Sequence, residues 1–90
     1  MGHITIKTFS GSTYELDLES NPMTFTRNGC PVQRLIEYRV YDNSYQSRYF
    51  GADDNYTGSF DDAEGKFLFV HGVGVDNWFE STRIVSISFD

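Results

Sequence analysis

The longest apolar run in the chain is Phe67-Leu68-Phe69-Val70, which lies within the segment Gly65 to Val75. The run is short, apolar on both alternating faces and rich in aromatic and β-branched residues. That pattern is typical of a strand buried on both sides. A chain of 90 residues, 1–90, is expected to form one small domain whose core draws on most of its large side chains. We therefore expect the other apolar segments, with their share of 8 Phe, 6 Tyr and 1 Trp, to pack around this strand.

Alternation of apolar and polar residues predicts further strands before this run. Residues 3–9 and 13–19 alternate cleanly on either side of a Ser-Gly-Ser turn and form the clearest hairpin in the sequence. Residues 23–27 alternate again. The pair Asn28-Gly29 then supplies a turn that accepts positive φ values.

The middle of the chain fits two interpretations. Residues 31–41 can be read with period two as a strand, or with helical period as a helix that Pro31 would begin. We favour the strand because residues 38–41 are aromatic, β-branched or arginine. A short helix near residues 31–38 is the alternative. Residues 45–50 are expected to pair back as a hairpin strand after the turn.

The C-terminal part is expected to hold a loop and a last strand. A polar loop should carry Trp78 and Phe79, and either one of the two rings closes an end of the barrel or both form an exposed anchor. Residues 83–89 should form the last strand, with Val85 and Ile84 on opposite faces. Six or seven short strands with turns between them predict an all-β fold, a small antiparallel barrel or sandwich.

Negative charge is concentrated between residues 53 and 64, which we call the acidic segment. The formal net charge of the chain is −6, and this segment has no Lys or Arg and five acids: Asp53, Asp54, Asp61, Asp62 and Glu64. Direct nucleic-acid binding is not expected, because it needs a basic face and the seven Lys and Arg are scattered. We expect a protein partner with a basic surface, or a cation.

The acidic segment resembles the calcium loop of EF-hand proteins. Counted from Asp53, it has oxygen-bearing side chains at positions one, three and five, Gly58 at six, an acid at nine and a glutamate at twelve. Such a loop surrounds Ca²⁺ with about six to eight oxygens. The resemblance implies these ligands: Asp53, Asn55, Thr57, the carbonyl of Ser59, Asp61 and Glu64. Because the flanking residues are strand-like and not helical, a solvated connection between two strands is the other interpretation.

Three stretches resemble short β proteins encoded by bacteriophages. They are Gly11 to Leu16 (GSTYEL), Met23 to Arg27 (MTFTR) and Ser81 to Ile87 (STRIVSI). The resemblance implies a setting in which small acidic proteins, anti-CRISPR proteins among them, block host defence complexes. It transfers no site residues, because that class shares no motif.

An enzyme is not expected from the reactive residues. His71 ends the central strand, where a structural role is usual, and Cys30 at a turn is an ordinary thiol. No secretory signal or membrane span is apparent, so we expect a cytoplasmic protein, in the host cell if phage-encoded.

Taken together, these features predict a non-enzymatic binding protein with no cofactor, or with Ca²⁺ in the alternative reading. A self-associating virion or structural protein is a further alternative. The residues expected to contact the partner are Asp53, Asp54, Tyr56, Asp61, Asp62, Glu64, Trp78 and Phe79.

Overall fold

Seven strands and one short helix make up the fold in the computed structural model, which describes residues 2–90. In chain order the elements are β1 (His3–Thr8), β2 (Thr13–Asp17), β3 (Thr24–Arg27), β4 (Gln33–Tyr41), α1 (Tyr45–Tyr49), β5 (Tyr56–Thr57), β6 (Phe67–Gly72) and β7 (Trp78–Phe89). Antiparallel pairing joins β3, β2, β1, β7, β6 and β4 in that order, and β3 also pairs with β4. The result is a closed six-stranded barrel, to which β5 adds two residues beside the end of β4. The predicted all-β fold is confirmed, in its barrel form.

The β1–β2 hairpin follows the alternation in the sequence. Ile4 lies opposite Leu16 and Ile6 opposite Tyr14, and all four side chains are buried. At the next turn Asn28 and Gly29 have φ values of 55° and 74°, as a tight turn of this sequence requires.

The middle of the chain confirms the predicted strand and corrects the predictions for the short helix and for residues 45–50. Residues 33–41 form strand β4, and the short helix lies at 45–49, not near residues 31–38. Residues 45–50 do not pair back as a strand. Ser44 caps the helix by accepting a hydrogen bond from the N–H of Ser47, and Gly51 follows the helix with φ +107°.

Strand β7 begins earlier than the sequence predicts. Trp78 and Phe79 belong to this strand and not to a loop, and they pair with His71 and Val70 of β6. The strand reaches 12 residues because two bulges let it follow the curvature of the barrel.

Each bulge in β7 changes which side chains face inward. Next to β6, Ser81 and Thr82 together lie opposite Leu68, and the hydroxyl of Ser81 accepts the Leu68 N–H at 2.9 Å. Next to β1, the pairing skips Val85, so Ile84 is buried and Val85 is exposed. A strictly alternating pattern in the sequence does not predict these changes in which side chains face inward.

The barrel interior is filled mainly by aliphatic and aromatic side chains. The buried cluster consists of Ile4, Ile6, Tyr14, Leu16, Phe25, Leu35, Val40, Phe60, Ala63, Leu68, Val70 and Ile84. In the central run, Leu68 and Val70 point into this core, whereas Phe67 and Phe69 are half-buried on the outer side. The outer side of β6 is thus only partly covered, contrary to the prediction of full burial on both faces.

Candidate functional site

The outer side of β4, β6 and β7 carries a continuous group of aromatic rings, which we call the outer aromatic cluster. Its members are Tyr41, Tyr45, Tyr56, Phe69 and Trp78. Neighbouring ring centroids lie 5.3 Å apart for Tyr41 and Tyr56, 6.2 Å for Tyr41 and Phe69, and 5.9 Å for Phe69 and Trp78 as well as for Trp78 and Tyr45. Such spacings are those of favourable aromatic contacts.

Strand register creates this cluster. Arg39, Phe69 and Glu80 lie side by side across β4, β6 and β7, and His71 is paired with Trp78. Because alternate residues of a strand share a face, Tyr41 joins Arg39 on the outer side of β4.

Helix α1 is fixed over the cluster by Arg48. The guanidinium carbon of Arg48 lies 3.5 Å from the centroid of the Tyr41 ring, its Nη2 pairs with Oε1 of Glu80, and its Nε donates to the Asn43 carbonyl. The side chains of Arg48 and Glu80 are only 14% and 7% exposed. This buried ion pair connects residues 32 positions apart and decides where the helix lies.

Arg39 is the second cation of the cluster. It donates to the Glu37 carboxylate at 2.7 and 2.9 Å and to the Tyr41 hydroxyl at 2.7 Å. Its guanidinium also stacks 4.6 Å from the Tyr56 ring centroid. The hydrogen bond to Tyr41, followed by that to Glu37, raises the pKa of Arg39 above its ordinary value.

The acidic segment is anchored at its middle by strand pairing and an apolar side chain. Tyr56 and Thr57 pair with the end of β4, and the buried Phe60 ring stacks on Tyr38 with centroids 5.4 Å apart. Ala63 is also buried. The five acidic residues on either side of these anchors are exposed.

The five acids fall into two groups. Asp53 accepts a hydrogen bond from Asn43, next to the start of α1, and Asp54 follows it. The second group lines a depression of about 420 Å³ together with Ile87 and Phe89 of β7, and consists of Asp61, Asp62 and Glu64. All five side chains are exposed, and none of them forms an ion pair within residues 2–90.

The two adjacent aromatic residues predicted as an anchor point to opposite sides. Trp78 is 41% exposed in the outer aromatic cluster. Phe79 packs at the barrel interior against Phe25, with centroids 6.4 Å apart, and Arg27 lies 4.9 Å above its ring. Trp78 is therefore the one of the pair that is available to a partner.

The calcium prediction concerns six residues of the acidic segment. Two of their neighbours in the segment, Tyr56 and Phe60, are tied to the barrel, and Asp53 accepts the N–H of Asn55 as well as the Asn43 amide. Within residues 2–90, no three His, Cys, Asp or Glu side chains come together as metal ligands. Calcium binding by these residues stays the alternative interpretation of the sequence, and these contacts do not test it.

The sequence predicted Trp78 and Tyr56 as site residues but did not predict the charged residues next to them. Arg39, Arg48 and Glu80 join the cluster through the strand register and through the docking of α1, neither of which is visible in the sequence. The alternation of Arg39 and Tyr41 with the buried Val40 is the one signal that could have placed Arg39 and Tyr41 on a common outer face.

The fold and this site are the basis for assigning a function, because comparisons with known proteins find no match. No family model, no curated protein and no solved structure matches the chain. In the part of the chain that the structure describes, no helix is long and apolar enough to cross a membrane. The protein is a small closed β-barrel with an aromatic outer face next to an acidic segment.

Proposed function

We propose that this protein is a non-catalytic binding protein whose acidic segment and exposed aromatic residues engage a basic surface on a protein partner. The observation that carries the proposal is the exposure of five carboxylates with no internal basic partner in residues 2–90. Unpaired surface charge of one sign raises the rate of encounter with a surface of opposite sign.

Exposed aromatic residues next to the acids would supply the short-range part of the interface. Tyr49 and Phe50 stack edge to face at the end of α1, and Tyr49 is 74% exposed. Tyr56 lies within the acidic segment and connects it to the outer aromatic cluster and Trp78. Tyr and Trp are enriched among the residues that dominate binding energy in protein interfaces.

The proposed partner is a complex that handles nucleic acid, because such complexes present basic grooves of the kind this surface complements. By occupying that groove, the protein would exclude the nucleic acid and inhibit the complex. RNA-guided nucleases are the first candidates, given the resemblance to phage-encoded β proteins, and the cytoplasm of the host cell would be the place of action.

The experiment compares two variants with equal charge in a cleavage assay with purified RNA-guided nucleases. The segment variant carries Asp54→Asn, Asp61→Asn and Asp62→Asn, and asparagine suits Asp62 because that residue has φ +56°. The control variant carries Glu15→Gln, Glu19→Gln and Asp90→Asn, three exposed acids elsewhere on the chain. Each variant takes the formal net charge from −6 to −3.

We expect the wild type and the control variant to inhibit cleavage and the segment variant to lose at least about tenfold in potency, which corresponds to 1.4 kcal/mol. Equal loss in both variants would show that only overall charge matters. Failure of the wild type to inhibit any nuclease would refute the proposed class of partner.

A further inference from the structure

Glu80 is a buried carboxylate on the outer side of the barrel, and one of its two oxygens has no hydrogen-bond partner within residues 2–90. Oε1 pairs with Arg48, whereas Oε2 is buried and has no hydrogen-bond partner within residues 2–90. A buried acceptor of this kind costs about 1–3 kcal/mol, and more when it is charged. A donor from outside the chain would remove that cost.

Glu80 lies where two depressions meet. The smaller, of about 230 Å³, has walls from the outer aromatic cluster and from Arg39 and Arg48. The larger, of about 510 Å³, is lined by Phe9 and by polar side chains that include Ser44, Gln46 and Thr82. Tyr45, Trp78 and Glu80 border both depressions, which therefore lie next to each other with these side chains between them. We call the two depressions together the groove.

The two arginines nearest Glu80 are paired, whereas Arg83, which borders the larger depression, forms no ion pair within residues 2–90. Arg48 is paired with Glu80, and Arg39 is paired with Glu37. An anionic ligand would meet the unpartnered oxygen of Glu80, and a cationic ligand would meet two guanidinium groups. A neutral ligand that carries donors and acceptors close together meets neither conflict.

The architecture argues against a peptide strand as the ligand. β6 is paired along both edges, with β4 and with β7, so an extended peptide cannot add to the strand that lies beneath the groove. The ligand must therefore bind to side chains.

We propose that this groove binds a neutral sugar ring, as part of an oligosaccharide. A sugar hydroxyl donates to Oε2 of Glu80 and can accept from the neighbouring Arg48, because a hydroxyl is both donor and acceptor. The C–H face of the ring lies against Trp78 and Tyr45, whose ring faces carry partial negative charge. Ser44, Gln46 and Thr82 offer hydrogen bonds to the next ring along the groove.

This site is distinct from the proposed protein interface in its polar groups, because none of the acids of the acidic segment lines the groove. A sugar can bind without any role for those acids. The two proposals can therefore fail separately.

The test uses the intrinsic fluorescence of Trp78, the single tryptophan of the chain. The wild-type protein is titrated to about 10 mM with a panel of neutral oligosaccharides of glucose, mannose, galactose and N-acetylglucosamine. An arginine-containing peptide and a single-stranded oligonucleotide are titrated in parallel. We expect a saturable change with at least one neutral oligosaccharide and none with the charged probes.

Tyr45→Ala and Tyr49→Ala form a matched pair, because both tyrosines are exposed on α1, at 54% and 74%, and only Tyr45 borders the groove. We expect Tyr45→Ala and Glu80→Gln to weaken sugar binding by at least about tenfold, and Tyr49→Ala to bind as the wild type does. Circular dichroism checks that each variant is folded. No response to any neutral sugar, a stronger response to a charged probe, or equal binding by Tyr45→Ala would each overturn the proposal.

Discussion

Replacing Ser81 with alanine should destabilise the barrel, because its hydroxyl completes the hydrogen bonding of the bulge in β7. Leu68 is fully buried, and its N–H donates to Oγ of Ser81 at 2.9 Å where the bulge interrupts the ladder. Alanine would leave that N–H buried without a partner, at a cost of about 1–3 kcal/mol. For a domain of this size, each kcal/mol lowers Tm by about 4–8 °C.

The measurement is urea unfolding followed by circular dichroism, with Ser88→Ala as the control. Ser88 lies in the same strand but is exposed, so its replacement should change stability by less than about 0.5 kcal/mol. The m-value should be the same in all three proteins, because the area exposed on unfolding is unchanged. A loss below about 0.5 kcal/mol for Ser81→Ala would refute the proposed role of the hydroxyl.

Three further predictions concern the elements that surround the barrel. Arg48→Met should lower the free energy of unfolding by about 3–5 kcal/mol, measured by thermal unfolding, because it leaves Glu80 buried and unpaired. Adding Glu80→Gln to this variant should restore part of the lost stability. Equal stability of the single and double variants would contradict this prediction. Phe60→Ala should lower the free energy of unfolding in urea by about 3–5 kcal/mol, because the Phe60 ring is buried against Tyr38. The control Tyr49→Ala, at an exposed position, should lower it by less than about 0.5 kcal/mol. A loss for Phe60→Ala below about 3 kcal/mol would show that the Phe60 ring does not anchor the acidic segment. Addition of calcium at millimolar concentration should give the same Tm as addition of chelator, because strand pairing holds residues 56–57 extended. A higher Tm with calcium would favour the EF-hand interpretation.

The sequence predicted the strands and turns correctly where local pattern and tertiary structure agree. The β1–β2 hairpin has unbroken alternation, and the Asn28-Gly29 turn has the residues that its dihedral angles need. In β4, the strand reading of residues 31–41 is confirmed for residues 33–41. These elements required no knowledge of distant contacts.

The errors lie where distant contacts decide the structure. Residues 45–49 are helical because Ser44 caps the turn and Arg48 reaches Glu80, and the aromatic content of the segment alone favoured a strand. The two bulges of β7 reverse its facing pattern, so Ile84 is buried although alternation assigned it to the other face. The candidate site depends on the same contacts, which is why only its exposed aromatic residues and the acidic segment could be predicted.

We propose that the exposed carboxylates of the acidic segment direct the protein to a basic partner. The most direct test is the association rate with a nuclease complex that the protein inhibits, measured by biolayer interferometry at about 0.05 and 0.15 M salt. We predict that the rate falls steeply with salt for the wild type and the control variant, and that the segment variant associates slowly at both concentrations. Equal rates and equal salt dependence for the segment variant and the wild type would contradict the claim.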